Sequence, residues 1–179
     1  MAEKTSFGAH YNQYKHKVFS FFFYRLNGDR ATAEDLTGDV FVKVYEHFDS
    51  FDSSKKFYSW LFTIVRNTLI DHFRTQKKHI DLREGEAVSD KNSAACTRKL
   101  DNSMRMEKIY ELLNDIPLFQ KECILLKFLG EMTTKEIATV TQKSEDNVRQ
   151  SVSRALNKLR SRKELFHVLL LFCISTLLK

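Results

Sequence analysis

Turn formers are scarce in this chain. Pro117 is the one proline, and the five glycines (Gly8, Gly28, Gly38, Gly85, Gly130) stand singly along 179 residues. A β-sandwich or barrel needs turn residues at short, regular intervals, so this supply excludes an all-β fold and points to helices. The isolated glycines also exclude a Gly-rich phosphate loop. Cysteine is nearly as rare: Cys96, Cys123 and Cys173 are odd in number and far apart, which excludes a disulfide framework and a zinc ribbon. No apolar run lies within Met1 to Tyr14, so a secretion signal is not expected and a reducing cytoplasm is. The six histidines form no H-E-x-x-H or similar spacing, and no nucleophile–base set accompanies them. Asp71-His72 occupies adjacent helix positions that point in different directions. Neither an enzyme nor a metal or other cofactor is therefore expected.

What is present is charge, unevenly placed. The formal net charge is +6. Between Gly28 and Asp52 there are seven acids and two bases, whereas His72 to Ile80 holds Arg74, Lys77 and Lys78 without an acid. Arg149 to Lys163 holds six bases, again without an acid. Two basic patches and one acidic patch suggest two contacts with nucleic acid and one with a different partner. Any single run of this kind is also compatible with a solvated helix face.

Apolar residues recur at helical spacing. Val18 to Tyr24 is phenylalanine-rich enough for a buried helix. Val40, Phe41, Val44, Tyr45 and Phe48 form one stripe, and Trp60, Leu61, Ile64, Val65, Leu69 and Phe73 another. These predict a small helical domain over residues 1–79. Residues 80–105 lack periodicity, balance their charges and read as a linker. A second helical domain is expected over 106–163. In it, Ile109 to Ile116 stops at Pro117, and Cys123 to Leu129 ends at Gly130. Thr133-Thr134-Lys135-Glu136 spells a capping box, and Ser144 caps a longer helix with Glu145 and Asp146 in its first turn. The fold class is all-α, with two small helical domains joined by a linker.

A short helix, a tight turn at Thr141-Gln142-Lys143 and a longer basic helix form the pattern of a helix-turn-helix. With Val148, Val152, Ala155, Leu156 and Leu159 inward, Asn147, Arg149, Gln150, Ser153, Arg154 and Asn157 are left outward. Arg149 and Gln150 suit bidentate readout of guanine and adenine. Lys158, Arg160 and Arg162 suit phosphates, which bring affinity without sequence information. A basic helical hairpin with a purely structural role has the same spelling.

The segment Ala33-Glu34-Asp35-Leu36-Thr37-Gly38-Asp39-Val40-Phe41, followed by Phe57-Tyr58-Ser59-Trp60-Leu61-Phe62-Thr63-Ile64-Val65-Arg66-Asn67, Asp71 and Arg74, resembles region 2 of bacterial RNA polymerase sigma factors. The type is the small extracytoplasmic-function (ECF) class. Leu113, Pro117, Leu126, Gly130, Thr134, Glu136-Ile137-Ala138, Ser144, Val148 and Arg154-Ala155 are similar to region 4. The resemblance implies core RNA polymerase and promoter DNA as partners, with an anti-sigma factor as a further one. It implies that the helix bearing Asp35, Leu36, Thr37, Asp39, Val40 and Phe41 docks on the polymerase clamp helices. It also implies that Phe57 to Arg74 captures the non-template strand of the −10 element. For that task the available side chains are Tyr58, Trp60, Asn67, Arg74 and Lys77, since unstacked bases need aromatic surfaces and a basic groove. Trp60, Leu61 and Ile64 fit a core role better. Region 4 would read the −35 element through Asn147, Arg149, Gln150, Ser153, Arg154 and Lys158.

Two positions depart from the family pattern. Gly38 stands where glutamine is usual, which predicts a weaker or bent docking helix. Gln142 replaces a glycine, so the turn is expected to close without an easy positive φ. The competing function is a helix-turn-helix regulator that is no polymerase subunit, and it has no use for the acidic helix. The family pattern has no counterpart of residues 164–179, where Leu165 to Leu178 is mostly apolar. As a helix it would span about 21 Å, short of the roughly 30 Å bilayer core. A packed extra helix that holds the domains together is preferred for it. A membrane-surface tether beside Arg160, Arg162 and Lys163, inhibitor docking and self-association are the alternatives. Cys96, in the linker, is a candidate redox thiol, although no neighbour argues for a lowered pKa.

Overall fold

The computed structural model describes residues 2–83 and 113–160, with side chains for 7–76 and 113–160. The expected linker from residue 84 onward, Cys96 and the apolar tail lie outside the described residues. The helices are α1 (Ala2–Arg25), α2 (Arg30–Glu46), α3 (Phe57–Arg83), α4 (Leu118–Phe128), α5 (Thr134–Thr141) and α6 (Glu145–Arg160), with a 3-10 turn at Phe48–Ser50. No described residue belongs to a strand. No helix among the described residues is long and apolar enough to cross a membrane.

In the first unit α1 packs on α2, and α2 on α3. Val18, Phe21 and Phe22 of α1 join Val40 and Val44 of α2 and Leu61, Phe62 and Val65 of α3 in one fully buried core. Phe21 and Phe62 meet edge to face at 5.5 Å, the favoured geometry for aromatic quadrupoles. The turn from α1 to α2 uses Asn27 (φ 55°) and Gly28 (φ 83°), the residue types that tolerate left-handed backbone. Asp29 then caps α2, accepting the Thr32 amide at 3.1 Å and the Thr32 hydroxyl at 2.6 Å. The polar stretch 2–14, with no helical stripe, is nevertheless the start of α1.

In the second unit α6 lies against α4 and α5. The capping box forms as spelled: the Thr133 amide donates to Glu136 Oε2 at 2.8 Å, and the Glu136 amide donates to Thr133 Oγ1 at 3.3 Å. Ser144 Oγ accepts the Asn147 amide at 3.3 Å and caps α6. Gln142 differs from expectation. It takes the left-handed conformation (φ 56°, ψ 40°), and its amide satisfies the last carbonyls of α5. The turn closes with a positive φ after all, borne by a residue with a Cβ. Cys123 is buried, and burial pushes its thiol up to about 12, so it is an unreactive core residue.

The units are not separate bodies on a string. α3 packs on α5 and α1 on α4, so one apolar core runs through both.

Candidate nucleic-acid interface

The outward side of α6 is built by periodicity. Val148, Ser151, Val152, Ala155 and Leu159 are buried, which turns Asn147, Arg149, Gln150, Ser153 and Arg154 to solvent. Ser151 is an inward position that the apolar pattern missed, and Leu156 is only half-buried. Arg149 Nη1 is held at 2.7 Å by Asp146, one turn earlier. Both side chains are exposed, so the pair costs little to release and aims the guanidinium meanwhile. Lys158 is exposed but bends back to donate to the Asp115 carbonyl, bracing α6 on the turn before α4. Beside this face runs an open groove of about 290 Å³, lined by Lys127, Thr134, Arg149, Ser153, Asn157 and Arg160 over Val152 and Leu156. Lys127 and Thr134 carry no sequence signal for this site. Only the packing of α4 and α5 on α6 brings them there.

The acidic helix α2 divides its motif between two faces. Leu36, Val40 and Phe41 are buried in the core, and the Thr37 hydroxyl donates to the Ala33 carbonyl at 2.6 Å. The resemblance places these four on a docking helix; Leu36, Val40 and Phe41 hold that helix in the core, and Thr37 is half-buried. Asp35 and Asp39 are exposed, and on the same side stand Val42 (59% exposed), Tyr45 (50%) and Glu46. The open face is therefore acidic with two apolar contacts; the sequence reading placed Tyr45 in the inward stripe and passed over Val42. α2 is continuous through Gly38, where an added Cβ meets nothing within 4 Å.

On α3 the five proposed strand-capturing residues part company. Asn67 and Arg74 are exposed, Arg74 in a loose pair with Asp71 at 3.0 Å. Trp60 is half-buried against Phe51 (5.0 Å) and Phe57 (5.6 Å), as its core reading expects. Lys77 lies on α3 with its side chain outside the description. Tyr58 is covered: its ring stacks on Phe62 at 4.4 Å, its hydroxyl is buried without a partner, and burial drives its pKa well up. The cover is Gly130 of the second unit, where any Cβ would stand 2.8 Å from the Tyr58 hydroxyl. No three His, Cys, Asp or Glu side chains among the described residues gather as metal ligands.

The comparisons with known proteins follow the same division of the chain. Residues 10–79 match the family described as Sigma-70 region 2, and residues 106–159 the one described as Sigma-70, region 4. The ECF RNA polymerase sigma factor BldN of Streptomyces coelicolor is 30% identical over 164 residues, covering 88% of this chain. The match spans 60% of the length of BldN. The RNA polymerase sigma factor NccH of Alcaligenes xylosoxydans xylosoxydans is 32% identical over 136 residues, 72% of each chain. Among solved structures, the sigma factor RpoE in co-crystals with the anti-sigma factor NepR from Bartonella quintana shares the fold. Its TM-score is 0.71 at 22% identity, over 89% of this chain and 98% of that one. With a three-helix unit carrying the region 2 match, a helix-turn-helix carrying the region 4 match, and relatives of this name across both, the chain belongs to the sigma-70 family of bacterial RNA polymerase sigma factors, in its extracytoplasmic-function class.

Proposed function

We propose that the protein is a dissociable initiation subunit: it binds core RNA polymerase in the cytoplasm, reads a −35 element through α6 and opens a −10 element through α3. It is a regulatory subunit and does no covalent chemistry of its own. The observation that carries this reading is the pairing of unlike open faces on one chain. The exposed polar and basic side of α6 suits duplex DNA, whereas the Asp35–Asp39–Val42–Tyr45–Glu46 side of α2 suits a basic protein surface with apolar pockets. A simple DNA-binding regulator has no use for the second face.

Arg149 and Gln150 read base edges in the major groove, each good bidentate pair giving about 1–3 kcal/mol of discrimination. Asn147, Ser153 and Arg154 extend that contact. Lys127, Lys158 and Arg160 act on phosphates, which set affinity and its salt dependence. Asn67, Arg74 and Lys77 hold the unstacked −10 strand beside the Tyr58–Trp60 aromatic surface, where each stacked base contributes roughly 1–3 kcal/mol. An anti-sigma factor is a further partner, supported by the structural relative solved with one.

The test is multi-round transcription by purified core polymerase on a pooled promoter library, with and without the protein. Transcripts that need the protein and share paired upstream elements are the expected result. DNA binding without capture of core polymerase would replace this reading with that of a regulator that is no polymerase subunit.

A further inference from the structure

One buried cluster of charge takes no part in the proposed DNA contacts, and it does not balance. It lies at the seam where α1 and α3 meet α4. Arg25, the last residue of α1, is 8% exposed, and Lys121 of α4 is 1% exposed. Arg66 of α3 pairs with Glu122 of α4, Nε to Oε1 at 2.9 Å. Glu122 and Arg66 both act on the charge of Arg25, and Arg25 acts on that of Lys121, so the four side chains form one group. Three cations therefore share one carboxylate. Arg25 Nε and Nη1 are buried without a hydrogen-bond partner among the described residues, and Lys121 Nζ reaches a neutral oxygen, Asn27 Oδ1 at 3.3 Å. Burial lowers the Arg25 pKa, Glu122 offsets part of that and Arg66 adds to it; burial and Arg25 together lower that of Lys121. Buried charges are ordinarily paired and buried donors ordinarily bonded. Here two positive charges and two donors are left over.

We propose that this cluster is an anion site, in which a doubly charged tetrahedral oxyanion of the class of inorganic phosphate sits against Arg25 among Lys121, Arg66 and Asn27. Its two charges match the excess of positive charge. Its oxygens supply acceptors that Glu122, committed to Arg66, does not. A guanidinium suits an oxyanion because its donors lie in one plane and its charge is never lost. Arg66, 19% exposed, is the most open of the three cations and marks the way in. Arg25 and Lys121 are too enclosed to receive a polynucleotide backbone, so the occupant is the free ion. Bound there, it joins α1, α3 and α4 at one point, and the stability of the chain follows the phosphate level. None of this depends on how α3 or α6 meets DNA.

The probe is sodium phosphate, set against sodium chloride of equal ionic strength and read on the full chain by titration calorimetry and thermal melting. Saturable binding of one phosphate per chain is expected, and at about 100 times its Kd the melting temperature rises by about 5–11 °C. Arg25→Met is expected to weaken binding about 10- to 150-fold, the range for one hydrogen bond to a charged group. The same variant is expected to melt no lower than the parent in phosphate-free buffer, because it removes an uncompensated buried charge. Lys121→Met reads both quantities at the second cation and serves where Arg25→Met does not fold. Glu122→Gln is expected to tighten binding, since a competing carboxylate is gone. No saturable binding would overturn the proposal. An equal response in the parent, Arg25→Met and Lys121→Met would reduce it to the general effect of phosphate on protein surfaces and overturn the site. Loss of the response in Arg149→Ala/Arg154→Ala would move the ion to α6 and overturn it as well. Displacement of phosphate by a single-stranded DNA 12-mer would overturn the assignment to the free ion.

Discussion

Glu136 does two jobs at once, and they can be separated. Its Oε2 accepts the Thr133 amide at 2.8 Å and closes the capping box of α5, while its Oε1 meets Lys56 across the seam at 2.7 Å. These bonds, the Lys56 contact foremost, hold its carboxyl down to about 2 against an ordinary 4.5. Taken whole, such a shift corresponds to about 3 kcal/mol. The side chain is 20% exposed and Lys56 74%, so water screens part of it. A capping box contributes about 1 kcal/mol and an exposed pair about 0.5 kcal/mol, and the smaller sum of about 1.5 kcal/mol is the better expectation. In a chain of this size with one shared core, 1 kcal/mol moves the melting temperature by about 2–4 °C. Glu136→Ala is therefore expected to lower it by about 3–6 °C, and Lys56→Ala by no more than about 2 °C. The sign of the pH effect follows from the lowered pKa. The stabilisation is complete above about 4.5 and drains away as pH falls toward 2. Melting curves followed by circular dichroism from pH 7 to pH 2.5 test both halves. Glu136→Gln is expected to flatten the acid limb while keeping most of the cap. The reasoning fails if Glu136→Ala costs no more than Lys56→Ala, or if Glu136→Gln loses stability in acid as steeply as the parent.

Other expectations follow from single positions. Gly38→Ala fills open space on a continuous helix and is expected to stabilise the protein by about 1 kcal/mol in urea unfolding, the helix-propensity difference between the two residues. Gln142→Gly relieves the Cβ strain of a left-handed residue, and a gain of about 0.5–1 kcal/mol in the same assay is expected after the added unfolded-state entropy is subtracted. Arg149→Ala is expected to weaken binding to the preferred −35 duplex about 5- to 150-fold and to erase preference at one base pair. Equal loss on all sequences, measured by competition with single-base variants, would make it a phosphate contact instead.

α6 was the most legible part of the molecule because everything that orients it is local. Its apolar residues recur at helical spacing, the cap at Ser144 fixes where it starts, and the polar remainder follows outward. α2 was half legible for the same reason turned round. A contiguous motif such as Asp35 to Phe41 spans both sides of a helix, so it contains the residues that hold the helix as well as those on its open side. Tyr45 was placed inward because hydrophobic spelling is read as burial, which is a one-way rule, and Val42, off that stripe, was passed over. The burial of the Tyr58 hydroxyl was not legible, for a different cause. Nothing in its neighbourhood announces that Gly130 will cover it, and the pairs that seal the cover join residues as far apart as Lys17 and Glu131. Periodicity and caps act over a few residues, so long-range charge matching of this kind leaves no mark on either strand of sequence taken alone.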